Sequence, residues 1–108
     1  MKRIDQMRLR AGMTVGELAE QMRQAGVIGA GRVGKAVDIV GEMFSDPDYT
    51  TFITLSGPLV PSGMRLIFRD LIRDDYVDAV VSNGANLVHD IVEAMGRAHM
   101  VGDVDVDD

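Results

Sequence analysis

An α/β fold with helices laid on a parallel sheet is predicted by three features of this chain. Strand-like and helix-like stretches alternate between residues 49 and 96, in the order strand, loop, helix, strand, loop, helix. Both strand-like stretches are apolar and β-branched enough to be buried. Each runs into a glycine-containing loop and then into apolar residues at helical spacing, the order that a βα unit requires.

The first 45 residues are helical in pattern and punctuated by glycine. Thr14 and Glu17 have the spacing of a capping box, in which each side chain satisfies a free backbone amide of the first turn. Val15, Leu18, Ala19 and Met22 follow at helical spacing, and Gly26 supplies a stop. A second helix is expected over residues 32–44, where Val33, Ala36, Val37, Val40 and Phe44 form one stripe. Ser45-Asp46-Pro47-Asp48 closes it, because proline cannot continue a helix and disfavours helical geometry just before itself.

Thr51-Phe52-Ile53-Thr54-Leu55 is the first strand. Residues 56–63 contain two glycines and two prolines and are expected to form no regular structure. Met64, Ile67, Phe68 and Leu71 then mark a helix. Ala79-Val80-Val81 reads as a strand covered on both faces, and Asn83-Gly84 breaks it. Leu87, Ile91 and Met95, with Val88 and Val92 beside them, form the last stripe, closed by Gly96. Asp46, Asp48, Asp74, Asp75 and Asp78 flank these elements as turn and cap residues. Two strands are too few for a finished α/β layer. The chain is therefore expected to be one partial domain, with a helical region at 1–48, a βαβα region at 49–99 and an acidic tail or truncated linker at 100–108. In isolation it should expose a strand edge and an apolar helix face.

The bulk composition is that of an ordinary globular domain, with 46% hydrophobic and 26% charged residues among 108. Seventeen acidic against 11 basic residues leave a net charge of −6. Such a field repels a phosphate backbone, so no nucleic-acid partner is expected. No apolar run approaches the ~20 residues of a membrane span. No apolar stretch follows Lys2, Arg3 and Asp5 to make a secretory signal. Without cysteine there is neither a disulfide nor a thiolate metal site, and the cytoplasm is the default location. Asp103, Asp105, Asp107 and Asp108 alternate as in a calcium loop, but its central glycine and closing glutamate are missing, so no metal is expected.

Gly29-Ala30-Gly31-Arg32-Val33-Gly34 matches the G-x-G-x-x-G dinucleotide fingerprint. That fingerprint works between a strand and a helix, where its glycines turn the chain and let the backbone approach a pyrophosphate. Here a helix follows, but the residues before Val27 are helical in pattern. Two readings stand: a small NAD-binding module, or a helix-to-helix turn made of small residues. The loops at 56–63 and 83–86 are better placed, since each follows a strand and precedes a helix. In an open parallel sheet such loops gather at the carboxyl ends of the strands, where ligands bind. Ser62 and Asn86 are able to cap the helices that follow, whose free amides favour an anion. The alternative is that the glycines only form turns. His89 lies about one turn into the last helix, and could bond a ribose or an amine, shuttle a proton, or be a satisfied surface histidine. His99 is expected to be only a loop residue.

Two long segments carry a family resemblance. Residues 51–65, TFITLSGPLVPSGMR, resemble the first strand and loop of deoxyhypusine synthases. Residues 76–90, YVDAVVSNGANLVHD, resemble the second, in the form common among archaeal and bacterial members. His99-Met100-Val101-Gly102-Asp103 is similar to the segment that follows there. The likeness runs from about Thr14 to the end. It implies the N-terminal part of a tetrameric enzyme with Rossmann-like subunits and active sites between paired subunits. The implied reaction moves the aminobutyl group of spermidine to a lysine of the translation factor aIF5A/eIF5A, with NAD taking and returning a hydride. By the same resemblance Gly57, Pro58, Leu59, Val60 and Pro61 line the NAD site, and Asn83, Gly84 and Ala85 form its second loop. Val88 and His89 fall near the polyamine and cofactor, where eukaryotic members carry paired acidic residues. That difference leaves open the related aminobutyltransferases that use other amine acceptors.

The family's catalytic lysine lies beyond the matched region, and Lys2 and Lys35 are in other contexts. No catalytic residue is therefore expected in this chain. It should be inactive alone and need the remaining polypeptide or a companion subunit, within a homo- or hetero-oligomer. The competing readings are a non-catalytic interaction subunit or degenerate paralogue, a related polyamine-forming aminobutyltransferase, and the small NAD-binding module.

Overall fold

A computed structural model describes residues 3–103. Among them the elements run α1 (Val15–Ala25), α2 (Ile28–Ser45), β1 (Phe52–Leu55), α3 (Arg65–Arg73), β2 (Ala79–Ser82) and α4 (Gly84–Ala94). The class is α/β, as expected. The described chain divides after Tyr49 into two compact units.

The first unit is the pair α1 and α2. The capping box forms as the spacing predicts: the Thr14 hydroxyl accepts from the Glu17 amide at 3.2 Å, and Glu17 Oε2 accepts from the Thr14 amide at 2.8 Å. Gly26 ends α1 with φ 67°, in the left-handed region that glycine enters without a Cβ penalty. The segment ahead of α1 is pinned to it, because Gln21 Nε2 donates to the Arg8 carbonyl at 2.9 Å.

The second helix begins at Ile28, four residues earlier than expected, and takes the whole glycine motif inside it. The reason is the close approach of the two helices. A Cβ on Gly31 would lie 2.5 Å from the carbonyl carbon of Gly26, and one on Gly34 would collide with the backbone of Arg23. These glycines are therefore packing residues of a helix crossing, and among the described residues no strand precedes them. At the far end Asp46 Oδ1 accepts from the Asp48 amide at 2.9 Å, the turn role expected of these aspartates.

The second unit holds the sheet. β1 and β2 are parallel, paired from Phe52 with Ala79 to Leu55 with Ser82, and joined through α3. Asp78 Oδ2 accepts from the amide of buried Thr51 at 2.6 Å, which fastens the start of one strand to the other. Residues 56–63 are not irregular throughout. Val60–Met64 make a π-type helical turn, broken at Gly63 (φ 89°), that leads directly into α3. Pro61 fits because the first turn of a helix leaves its amides without intrahelical partners.

The buried apolar set of this unit is small, essentially Val60 and Phe68. β2 is not covered on both faces, since Val81 is 55% exposed and Val80 is exposed as well. Leu87, Ile91 and Met95, the stripe on α4, are also exposed, as is Phe52 on β1. No helix among the described residues is long and apolar enough to cross a membrane.

Candidate functional site

The parallel pairing of β1 and β2 puts the loops that follow them at the same edge of the sheet. One buried side-chain amide bridges those loops. Asn86 is 2% exposed, and its Oδ1 accepts from the Leu59 amide at 3.1 Å and the Val60 amide at 3.3 Å. A side chain in the first turn of α4 thus ties down the loop that follows β1. Its Nδ2 is buried without a partner among the described residues. A buried donor left in that state costs about 1–3 kcal/mol.

Sequence reasoning treated Asn86 as a cap, and the structure assigns that task to Asn83. The Asn83 side chain accepts from the Asn86 amide at 3.0 Å, the usual N-cap bond three residues on. Ser62 does not cap α3 either; its hydroxyl donates to the Pro58 carbonyl within its own loop. The signal that could have found Asn86 is a polar amide set among Ala85, Leu87 and Val88, where burial demands a partner.

Gly57 has φ 70°, so any side chain there would be strained. Val60 is buried, Leu59 and Pro61 are half-buried, and Pro58 is exposed. Asn83, Gly84 and Ala85 stand exposed at the start of α4, and a Cβ added to Gly84 would meet nothing within 4 Å. The expected residues of the two loops are therefore brought together. Val88 is exposed, while His89 is half-buried. A groove of about 420 Å³ is lined by Leu55, Val60, Phe68, Val80 and Asn86 among others, and Val60 is the one expected site residue in its lining. Arg65 Nε donates to Asp90 Oδ1 at 2.6 Å across this groove, joining α3 to α4.

His99 is more than a loop residue. Its Nε2 lies 2.9 Å from His89 Nδ1, and its Nδ1 lies 2.8 Å from Glu93 Oε1. Three titratable side chains therefore make one hydrogen-bonded chain, which the spacing of His89 and Glu93, one helical turn apart, could have suggested. Among the described residues no group of three or more histidine and acidic side chains is arranged to hold a metal ion. Of the alternating aspartates, Asp105, Asp107 and Asp108 lie outside the described residues.

The family model for deoxyhypusine synthase matches residues 17–108. A probable deoxyhypusine synthase of Methanothermobacter thermautotrophicus is 47% identical over 96 residues, which cover 89% of this chain and 31% of that protein. Those of Methanosarcina thermophila and Methanopyrus kandleri are 49% and 41% identical, over 85% and 99% of this chain and 29% and 36% of their own lengths. No solved structure matches the chain. The chain spans about a third of the length of these relatives, and the two loops tied by Asn86 lie inside the matched region. Matched over most of its length by the family model and by these relatives, the chain belongs to the deoxyhypusine synthase family.

Proposed function

We propose that this chain supplies the NAD-binding edge of a deoxyhypusine synthase-like aminobutyltransferase completed by further polypeptide. The observation that carries the reading is the pair of hydrogen bonds that Asn86 Oδ1 accepts from the Leu59 and Val60 amides, which hold residues 57–61 beside residues 83–86 at the carboxyl ends of paired strands. Gly57, Pro58, Leu59, Val60 and Pro61 on one loop and Asn83, Gly84 and Ala85 on the other then contact one dinucleotide. The start of α4 suits a pyrophosphate, because free amides and the helix dipole attract anions there. Open space over Gly84 lets such a group reach the backbone. When bound, NAD supplies hydride acceptance and return. Val88 and His89 border the spermidine, and the receiving lysine belongs to aIF5A/eIF5A.

The exposed apolar side chains of β1, β2 and α4 support a sheet extended by strands from outside this chain into a Rossmann-like layer. That makes residues 1–108 part of a domain and of a cytoplasmic oligomer, tetrameric by family. The packing of Gly31 and Gly34 against α1 supports the reading in which the fingerprint is not a nucleotide site.

The test uses two glycines at which an added Cβ meets nothing within 4 Å among the described residues, Gly84 and Gly29. In the assembled enzyme, Gly84→Val should abolish NAD binding measured by calorimetry, and Gly29→Val should leave it intact. Loss with Gly29→Val and retention with Gly84→Val would transfer the site to the fingerprint and end the proposal.

A further inference from the structure

His89 and Glu93 lie one turn apart on the same face of α4, and His99 reaches both from the segment that follows the helix. The two imidazole rings meet edge to face, with centroids 4.8 Å apart and planes at 67°. His99 is 22% and Glu93 28% exposed at the side chain, so the chain of bonds is partly shielded from water.

The direction of these bonds follows from what each group can do. An ionised carboxylate only accepts, so Glu93 requires the proton of His99 to sit on Nδ1. A neutral imidazole carries one proton, so His99 Nε2 is an acceptor. His89 Nδ1 must then donate to it, because the bond made by one ring nitrogen sets the state of the other. His89 Nε2 is left with a free lone pair and no partner among the described residues.

We propose that Glu93 and His99 are positioning residues that hold His89 with its Nε2 as a proton acceptor for an N–H group of the ligand bound at this edge. The amine identity of that ligand rests on the function proposed above; the arrangement of protons does not. The ligand's N–H bond breaks, leaving its electron pair on the ligand nitrogen, as an N–H bond forms at His89 Nε2. The His89 Nδ1–H bond breaks as a new N–H bond forms at His99 Nε2. The positive charge thus leaves the His89 ring and comes to rest on His99, against the Glu93 carboxylate. One proton enters, none is lost, and Glu93 stays ionised throughout.

The experiment is long-range 1H–15N NMR of the histidine rings in the 108-residue chain at about pH 8.5, on the alkaline side of the ordinary imidazole range. His89 should show a protonated Nδ1 and an unprotonated Nε2. In Glu93→Ala and in His99→Ala, its Nε2 resonance should move toward the protonated range, while the backbone amide pattern of α4 stays in place. A parent chain in which His89 already carries its proton on Nε2 would overturn the proposal, as would His89 resonances unchanged in both variants. No NAD or amine is present in this measurement. Its failure therefore leaves the proposed synthase function standing, and a failure to bind NAD leaves the relay standing.

Discussion

Replacing Asn86 with leucine keeps the forked shape of the side chain, with bulkier methyl groups, and removes the acceptor that joins the two loops. The amides of Leu59 and Val60 then lose their partner. A buried donor stranded in this way costs about 1–3 kcal/mol. Val60 is 6% exposed and bears that cost in full, whereas Leu59 is half-buried and water recovers part of it. Against this, the substitution also removes Nδ2, a buried donor that is already unpaired, which returns roughly 1–3 kcal/mol. The two effects offset, and the net loss is about 1–2 kcal/mol, where each kcal/mol lowers Tm by about 4–8 °C for a domain of ~60–100 residues.

The local effect is sharper than the global one. Hydrogen exchange at the Leu59 and Val60 amides should rise about tenfold or more, since about 1.4 kcal/mol is a factor of ten in an equilibrium constant. The amides of β1 pair through the sheet ladder and should change only by the global loss. Asn86→Asp keeps an acceptor oxygen at the same place, so Leu59 and Val60 should stay protected there. Exchange at these two amides unchanged in Asn86→Leu would refute the reasoning, because it would mean that Asn86 does not hold the loop.

Gly34→Val places a branched side chain against the backbone of Arg23, and overpacking of this kind costs about 1–3 kcal/mol or more. Urea unfolding of the α1 and α2 pair, followed by circular dichroism, should shift to lower urea; an unshifted midpoint would mean that the helices do not cross at that glycine. Glu17 titrates below the usual carboxylate range, chiefly because the Thr14 amide bonds its charged form, with the Thr14 hydroxyl and Arg10 adding to the effect. A lowered value in the folded state means stability that is present above the ordinary carboxylate pKa and lost as pH falls through the lowered one. The Glu17 carboxyl resonance should therefore titrate below that of an unfolded peptide, and rise toward it in Thr14→Ala. A midpoint at or above the peptide value would contradict the capping box.

How much of this could be read from the sequence depends on how local each feature is. The Thr14–Glu17 box and the Gly26 stop involve a single turn each, and residue type and spacing decide them. The alternation of strands and helices was equally legible, because its period is a property of consecutive residues. The glycines of residues 29–34 were not, since a fingerprint turn and a tight helix crossing use the same small residues, and only the approach of Gly26 and Arg23 distinguishes them. The exchange of roles between Asn83 and Asn86 turns on where α4 starts. A helix opening at Gly84 makes Asn83 the cap and turns Asn86 inward. His99 was missed because its partners lie across a turn ending at Gly96, whose path depends on a left-handed residue rather than on periodicity.

The central claim is that this chain is one part of an NAD-dependent synthase. It is tested most directly by isolating the protein from its native source, measuring intact masses and gel-filtration size, and identifying every polypeptide that travels with it. The account predicts a covalent continuation or a companion chain that brings further strands and a reactive lysine, with NAD-dependent cleavage of spermidine that is lost when that portion is removed. Recovery of the 108-residue chain alone, with no companion and no NAD-dependent cleavage of spermidine, would contradict it.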